Sequence, residues 1–204
     1  IKRSPGDPLG WKEHGRHLLN ANEMGAACAA LRRAATLAPS NPDVWMLLGF
    51  AALKTAEERL AQDHFEHALT LKSDIFDAHL HLAHILLRRN DLEKSAEHID
   101  RALELRPRDL AALQVKAQQL KLSSHYEAAA AIFEGLIEQD PANAYAYWSD
   151  LANIRRELVQ LDEALECYHK SLALGASNPV VLSNLITLLH YMPDSDPEKI
   201  LERC

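Results

Sequence analysis

The chain has 204 residues, 48% of them hydrophobic, and carries a net charge of −7 with histidine taken as neutral. An acidic balance argues against a nucleic-acid partner, because that kind of binding needs a clustered basic surface. No apolar run approaches the roughly 18 residues of a spanning helix, and the first residues, IKRSPGDP, do not resemble a signal peptide because no apolar stretch follows the basic ones.

The stretch from Phe76 to Asp109 defines a pattern that recurs along the chain. It predicts two short amphipathic helices joined by a tight turn and closed by Pro107. Small residues lie where the two helices must cross, Ala83 on the first and Ser95 on the second. Such a hairpin cannot bury its apolar face alone, so it needs copies of itself on both sides.

Five repeats of this pattern are predicted, at residues 8–41, 42–75, 76–109, 110–143 and 145–178, and a partial sixth repeat with capping helices at 179–204 leads out of the array. Each repeat pairs a small residue on its first helix with one on its second: Gly15 with Ala27, Gly49 with Ala61, Ala83 with Ser95, Ala117 with Ala129, and Ala152 with Ala164. A bulky residue precedes each first-helix small residue by four positions: Trp11, Trp45, His79, Leu113 and Trp148. The predicted fold is therefore all-α, a single continuous solenoid of helix-turn-helix repeats.

Helix starts are marked by capping side chains. Asp7, Asn41 and Asn178 each precede a proline, which suits the first helical position, and Asp109 and Asn143 are predicted caps without a proline. Asn22 and Asn90 predict turns that use the left-handed conformation, whereas residues 55–58 of the second repeat carry no turn signal.

The last stretch departs from the pattern. Pro179 to Tyr191 predicts a first helix, Pro193 ends it, and a further helix is predicted to begin at Ser195 or Asp196. Because the chain begins without methionine and this last helix is cut short, both ends are expected to be the ends of a fragment or a processed product.

The 34-residue spacing with W-x2-L-G followed by A-x3-F-x2-A resembles the tetratricopeptide repeat. The second repeat carries this pattern at six positions: Trp45, Leu48, Gly49, Ala61, Phe65 and Ala68. The resemblance implies a right-handed superhelical solenoid that binds peptides or proteins.

Stacked hairpins of this type line a concave surface with their first helices, and such surfaces bind partners. The residues one and five positions after each bulky residue, with their flanking neighbours, give the predicted partner-binding groove: Lys12, Arg16, Met46, Phe50, Leu80, His81, His84, Arg88, Gln114, Gln118, Lys121, Asn153, Arg156 and Asn184. Phe50 and Met46 predict an apolar anchor point, and the amides predict hydrogen bonds to an extended backbone. The alternative is that Phe50 and Met46 are covered by their neighbours and serve only the core.

One branch of the family, the co-chaperones, binds a C-terminal carboxylate with lysines and asparagines on three successive first helices. Lys12 and Arg16 match its basic part, whereas Met46, Leu47 and Phe50 stand where asparagine is expected. That branch is therefore not the predicted one.

The sequence indicates no active site, no metal and no cofactor. The three cysteines, Cys28, Cys167 and Cys204, have no regular spacing and are predicted to be free thiols in a reducing, cytoplasmic compartment. His81 and His84 could share a metal ion, but no cysteine or carboxylate at ligand spacing completes a set around them.

Residues 183–201, SNLITLLHYMPDSDPEKIL, resemble the junction between repeats and catalytic region in O-linked N-acetylglucosamine transferase and SPINDLY-like glycosyltransferases, with matches at Ser183, Asn184, Leu185, Leu189, Tyr191, Pro193 and Asp194. The resemblance implies a substrate-recognition arm whose nucleotide-sugar site would lie beyond Cys204. The alternative is a free-standing adaptor that assembles a protein complex. Either way, the predicted partners are proteins or peptides, with no nucleic acid and no membrane.

Overall fold

A computed structural model describes residues 6–175 and 178–191. Those residues form eleven α-helices and no strand, as the sequence predicts. The helices are α1 (Pro8–Asn20), α2 (Met24–Leu37), α3 (Pro42–Lys54), α4 (Glu58–Leu71), α5 (Phe76–Arg88), α6 (Leu92–Leu105), α7 (Leu110–Leu122), α8 (Tyr126–Gln139), α9 (Ala144–Glu157), α10 (Leu161–Leu174) and α11 (Pro179–His190).

The predicted helix starts are largely confirmed. The side chains of Asp7, Asn41 and Asn178 accept hydrogen bonds from backbone N–H groups of the first turn, each with a proline at the first helical position. Asp109 caps α7 through the N–H of Ala112 at 3.0 Å. Asn143 occupies the N-cap position of α9 as predicted, but its side chain donates to Asp140 and makes no capping hydrogen bond to the helix.

The turns inside the hairpins share one backbone feature. In each of the five complete helix pairs of the described residues, one turn residue adopts a left-handed conformation with φ near 60°. Asn22 and Asn90 do so as predicted, and Ala56 takes that place in the turn that carried no signal. Ser124 and Val159 complete the set. A β-branched residue is strained in this region, so Val159 is the costliest of the five.

The chain divides into two compact units, residues 1–107 (unit 1, containing α1–α6) and residues 108–204 (unit 2, containing α7–α11). Within unit 1, Gly15 and Gly49 let the helices of a pair approach closely. A Cβ atom on Gly49 would lie 2.5 Å from the ring of Phe65, which is fully buried. Within unit 2, Ala117 and Ala152 occupy the corresponding positions in one core with Phe133 and Tyr168.

The bulky first-helix residues fix the loop that precedes them. The indole of Trp45 donates to the carbonyl of Pro39 at 2.8 Å. In the next repeat, Nε2 of His79 lies within hydrogen-bonding distance, 2.9 Å, of the carbonyl oxygen of Ser73. The starts of these two repeats are thereby tied to the loops that follow the preceding second helices.

The last helix, α11, ends one residue before the predicted end at Tyr191. The predicted break at Pro193 and the further helix after it lie outside the described residues. No helix in the described part of the chain is both long and apolar enough to cross a membrane.

Candidate partner-binding surface

Asn184 lies on the last described helix, and every other predicted groove residue lies on the first helix of a hairpin. In unit 1 they are Lys12 and Arg16 on α1, Met46 and Phe50 on α3, and Leu80, His81, His84 and Arg88 on α5. In unit 2 they are Gln114, Gln118 and Lys121 on α7, Asn153 and Arg156 on α9, and Asn184 on α11. The two sets are described separately because they belong to different units.

Two of these residues belong to the core. Met46 is 7% exposed and Leu80 is 9% exposed, so the prediction that they face solvent is wrong. Met46 packs in one cluster with Phe65 and Leu82, residues of the next two helices. The apolar side chains at this position cover the seam between neighbouring helices, because burying apolar surface is favourable.

Phe50 remains at the surface of unit 1 and is half-buried. Its ring meets the ring of Phe65 edge-on at 5.5 Å and the imidazole of His81 edge-on at 5.1 Å. His81 in turn lies flat against Phe65, with the ring centroids 5.4 Å apart. These contacts hold Phe50 in one orientation while leaving part of its ring uncovered.

The imidazoles beside Phe50 are biased toward their neutral form. Burial lowers the pKa of His81, and the nearby Asp77 carboxylate only partly opposes that effect. Partial burial also lowers the pKa of His84, whose outer edge stays exposed, and His81 and Arg88 lower it further. The lowered pKa values of His81 and His84 therefore favour their uncharged forms at neutral pH.

The basic residues predicted in unit 1 are each paired with a carboxylate. Lys12 lies 3.0 Å from Asp43, and its side chain is only 16% exposed. Arg16 pairs with Glu13 on the same helix, and Arg88 pairs with Glu58, the first residue of α4. Sequence reasoning missed Asp43 and Glu58 as partners, although each stands about one repeat away from its cation.

The groove residues of unit 2 form two hydrogen-bonded groups. Asp150 on α9 accepts from Gln118 at 2.7 Å and from Lys121 at 2.5 Å, both on α7. The side-chain oxygen of Asn153 accepts from the hydroxyl of Tyr168 at 2.7 Å and from the amide of Asn184 at 3.2 Å.

The second group leaves hydrogen-bonding capacity for a ligand. The NH₂ group of Asn153 and the carbonyl oxygen of Asn184 make no hydrogen bond within the described residues, so a donor and an acceptor stand side by side. Tyr168 is fully buried, and its role in orienting Asn153 depends on a contact that the sequence does not show.

The remaining groove residues of unit 2 are less engaged. Gln114 is exposed, and Arg156 pairs with its neighbour Glu157 at 3.0 Å. Adjacent ion pairs at a surface contribute little, so Arg156 stays available to a partner.

The histidines do not assemble a metal centre in the described residues, where no group of three or more potential ligands is found. His79 is buried, and its Nδ1 lies 3.0 Å from Nδ1 of His98. Because the Ser73 carbonyl can only accept, Nε2 of His79 carries the proton. A neutral His79 then accepts at Nδ1 from His98. This pair links α5 to α6.

Residues 51–109 and 121–179, more than half of the chain, match a family model described as "Tetratricopeptide repeat". The solved structures similar to this chain include YrrB, "a TPR protein with an unusual peptide-binding site" (TM-score 0.81, 21% identity, covering 88% of this chain and 92% of that one). They also include MamA from Desulfovibrio magneticus RS-1 (TM-score 0.76, 16% identity, covering 83% of this chain and 97% of that one). A third is PilF from Pseudomonas aeruginosa (TM-score 0.72, 18% identity, covering 92% of this chain and 85% of that one). No curated protein matches the sequence.

Proposed function

Because the chain belongs to the tetratricopeptide repeat family, we propose that it is a protein-interaction scaffold that binds a peptide or protein segment along its first helices. The groove residues proposed to contact a partner are Arg16, Phe50, His81, His84 and Arg88 in unit 1, and Gln114, Gln118, Lys121, Asn153, Arg156 and Asn184 in unit 2. Lys12 is largely covered and bonded to Asp43.

The single observation that supports the proposal most is Phe50. The Phe50 ring is fixed by two aromatic neighbours, and part of it stays uncovered. Pre-oriented aromatic side chains are frequent anchors in interfaces, because little conformational entropy is lost when a partner covers them.

A second observation comes from unit 2, where Asn153 and Asn184 present a donor beside an acceptor. That pairing complements one peptide group, which offers the same two functions. The fold shared with YrrB, whose description mentions a peptide-binding site, agrees with this proposal without identifying a ligand.

The test compares the full chain with two variants as bait for proteins in cell extract. Phe50→Ala should reduce the recovery of bound proteins at least about tenfold, the size expected for an interface anchor. Leu71→Ala is the matched control, since Leu71 is also an exposed apolar residue but ends a second helix. Equal recovery by both variants, or none by the wild type, would contradict the proposal.

The finer assignment, an arm of an O-linked N-acetylglucosamine transferase-like enzyme, depends on residues 183–201 alone. None of the comparisons reported above supports it, and residues 192–201 lie outside the described part of the chain. An antibody raised to the 204-residue chain, used on cell extract, separates the two alternatives by the size of the native product. A product far larger than 22.8 kDa that transfers sugar from a nucleotide donor favours the transferase arm. A product near 22.8 kDa favours the free-standing adaptor. Cytoplasmic location likewise stays a prediction.

A further inference from the structure

We infer that His79 and His98 form a proton-holding latch between α5 and α6: the pair takes up one proton with its hydrogen bond intact, and a second proton breaks that bond. The inference goes beyond the proposed function, because it concerns how this hairpin of unit 1 responds to acid. It follows from the orientation of the two rings, from the partner of each ring nitrogen and from the charges around the pair.

The two imidazoles face each other through one nitrogen each. Their Nδ1 atoms are 3.0 Å apart. The ring centroids are 5.2 Å apart, which is close to the nitrogen separation plus one ring radius at each end. The two nitrogens therefore lie nearly on the line between the ring centres. Lone pairs aimed at each other suit a shared proton, whereas two ligands of one metal ion must converge on a point beside that line.

Each ring nitrogen of the pair has a defined role in the uncharged state. Nε2 of His79 donates to the Ser73 carbonyl at 2.9 Å, so Nδ1 of His79 is left as an acceptor. Nδ1 of His98 is then the donor, and Nε2 of His98 makes no hydrogen bond within the described residues. His98 is half-buried, whereas His79 is buried. The first proton therefore enters at Nε2 of His98.

The first proton leaves the link between the helices in place. A charged His98 still donates from Nδ1 to a neutral His79, and a hydrogen bond from a charged donor is stronger than a neutral one. Burial lowers the pKa of His98 most, and a charge on His79 would lower it further. The carboxylates of Glu66 on α4 and Glu97 on α6 oppose that shift, and the first proton binds below pH 6.5.

The second proton goes to Nδ1 of His79, and there it opens the link. Two N–H groups would face each other at 3.0 Å, each on a cation, and neither could accept. The other charged side chains near the pair compensate one another: Lys72 pairs with Asp74 beside Ser73, and Arg101 pairs with Glu104 on α6. Acid therefore separates α5 from α6 at this point in two steps.

The experiment follows the imidazole nitrogens of the full chain by NMR with isotope-labelled histidine, from alkaline pH to the acid limit of folding. At alkaline pH a scalar coupling should join the two Nδ1 atoms, and it should persist while Nε2 of His98 gains its proton. At lower pH the coupling should disappear before the chain unfolds. Amide protection in α6, whose one histidine is His98, should then fall at least about tenfold, as expected for one lost charge-assisted hydrogen bond.

Two variants provide the controls. His98→Gln keeps an N–H donor for His79 but cannot take up a proton, so its α6 protection should not show the first step. The double variant His79→Leu, His98→Ile carries the residues found one repeat later, Leu113 and Ile132, and should lose both steps while the helices stay packed.

Three results would overturn the inference. The first is the absence of the coupling at alkaline pH, and the second is its loss with the first proton. The third is an equal acid-dependent loss of α6 protection in the double variant and the wild type, which would place the response elsewhere. If a variant fails to fold, the coupling and the nitrogen titrations of the wild type decide alone.

Discussion

The same pair of positions on successive first helices is aromatic in unit 1 and polar in unit 2. In unit 1, Phe50 meets His81 edge-on at 5.1 Å. In unit 2, Asn184 donates to Asn153 at 3.2 Å, and the two residues are 31 positions apart, as Phe50 and His81 are. The repeat therefore fixes which positions touch, and the side chains at those positions decide what kind of ligand each unit can hold.

The small residues at the helix crossings also differ between the two units, but only between glycine and alanine at the positions compared. Unit 1 has glycine at the first two crossings, with Leu31 or Phe65 lying where a Cβ would be. Unit 2 has alanine at both, beside Phe133 or Tyr168 in its core. Either choice permits close approach of two backbones, and each is matched to the exact position of the bulky side chain above it.

The largest expected effect separates core aromatics from surface aromatics in unit 1. Phe65→Ala should destabilise the chain by roughly 3–5 kcal/mol, because Phe65 is completely buried. Phe50→Ala should cost clearly less, since part of its ring already faces solvent. Urea titration of both variants measures the difference, and equal losses would mean that Phe50 is a core residue and that the binding surface is misplaced.

The next effect tests whether the glycine crossing of unit 1 can accept the alanine of unit 2. Gly49→Ala should destabilise by about 1–3 kcal/mol, because the new methyl group would overlap the buried Phe65 ring. Gly25→Ala is the control in the same unit: it lies in helix α2 with open space around it, so better helix propensity should stabilise by up to about 1 kcal/mol. Thermal unfolding checks both, and a stable Gly49→Ala would show that the crossing is looser than the contacts indicate.

A third prediction compares the turns of the two units. Val159→Gly should stabilise the chain by about 1 kcal/mol, because Val159 is exposed and held at φ 60°. Asn90→Gly in unit 1 should change stability by only a few tenths of a kcal/mol, since asparagine tolerates that conformation. Differential scanning calorimetry measures both, and an equal response would mean that Val159 carries no strain.

The smallest effect concerns pH and should concentrate in unit 1. The pKa of His81 is lowered from 6.5 by burial, with Asp77 opposing and Phe50 and Phe65 adding no charge. The unfolded chain then binds more protons than the folded one, so this stability is complete above pH 6.5 and is lost as the pH falls through the lower folded value. His64, His84 and His98 shift in the same direction.

Amide hydrogen exchange, measured residue by residue above and below pH 6.5, detects this loss of stability. His81→Phe should flatten the pH dependence of protection in α5, because it removes one of the groups that gain a proton on unfolding. Unchanged protection in unit 1 at acid pH would contradict the prediction.

Periodicity predicted the fold because its causes are local. Spacing of small and bulky residues determines which helix faces can pack, and capping residues such as Asp7 and Asn41 determine where helices begin. The same reasoning gave the right N-cap position at Asn143 but not its hydrogen bonding, because that side chain donates to Asp140 and does not cap the helix. It missed the turn at Ala56 because no residue type there marks the left-handed conformation.

The candidate surface was predicted less completely. Sequence position placed Phe50, His81, Asn153 and Asn184 on first helices, where the structure has them. It assigned Met46 and Leu80 to the same surface, although their neighbours bury them. The position of a residue along a helix predicts the direction of its side chain. How deeply that side chain is buried depends on the sizes of several residues in the neighbouring repeat, about 30 positions away.

The sequence by itself therefore determined the helices, their pairing into hairpins and the family, since each depends on regularities within about 34 residues. Only the tertiary structure decided which groove residues stay accessible and which charges remain unsatisfied. Asp43 neutralises Lys12, and Tyr168 orients Asn153, through contacts between different helices. Such contacts select one side-chain geometry from several that the pattern permits, because hydrogen bonds and ion pairs depend on distances of a few tenths of an ångström.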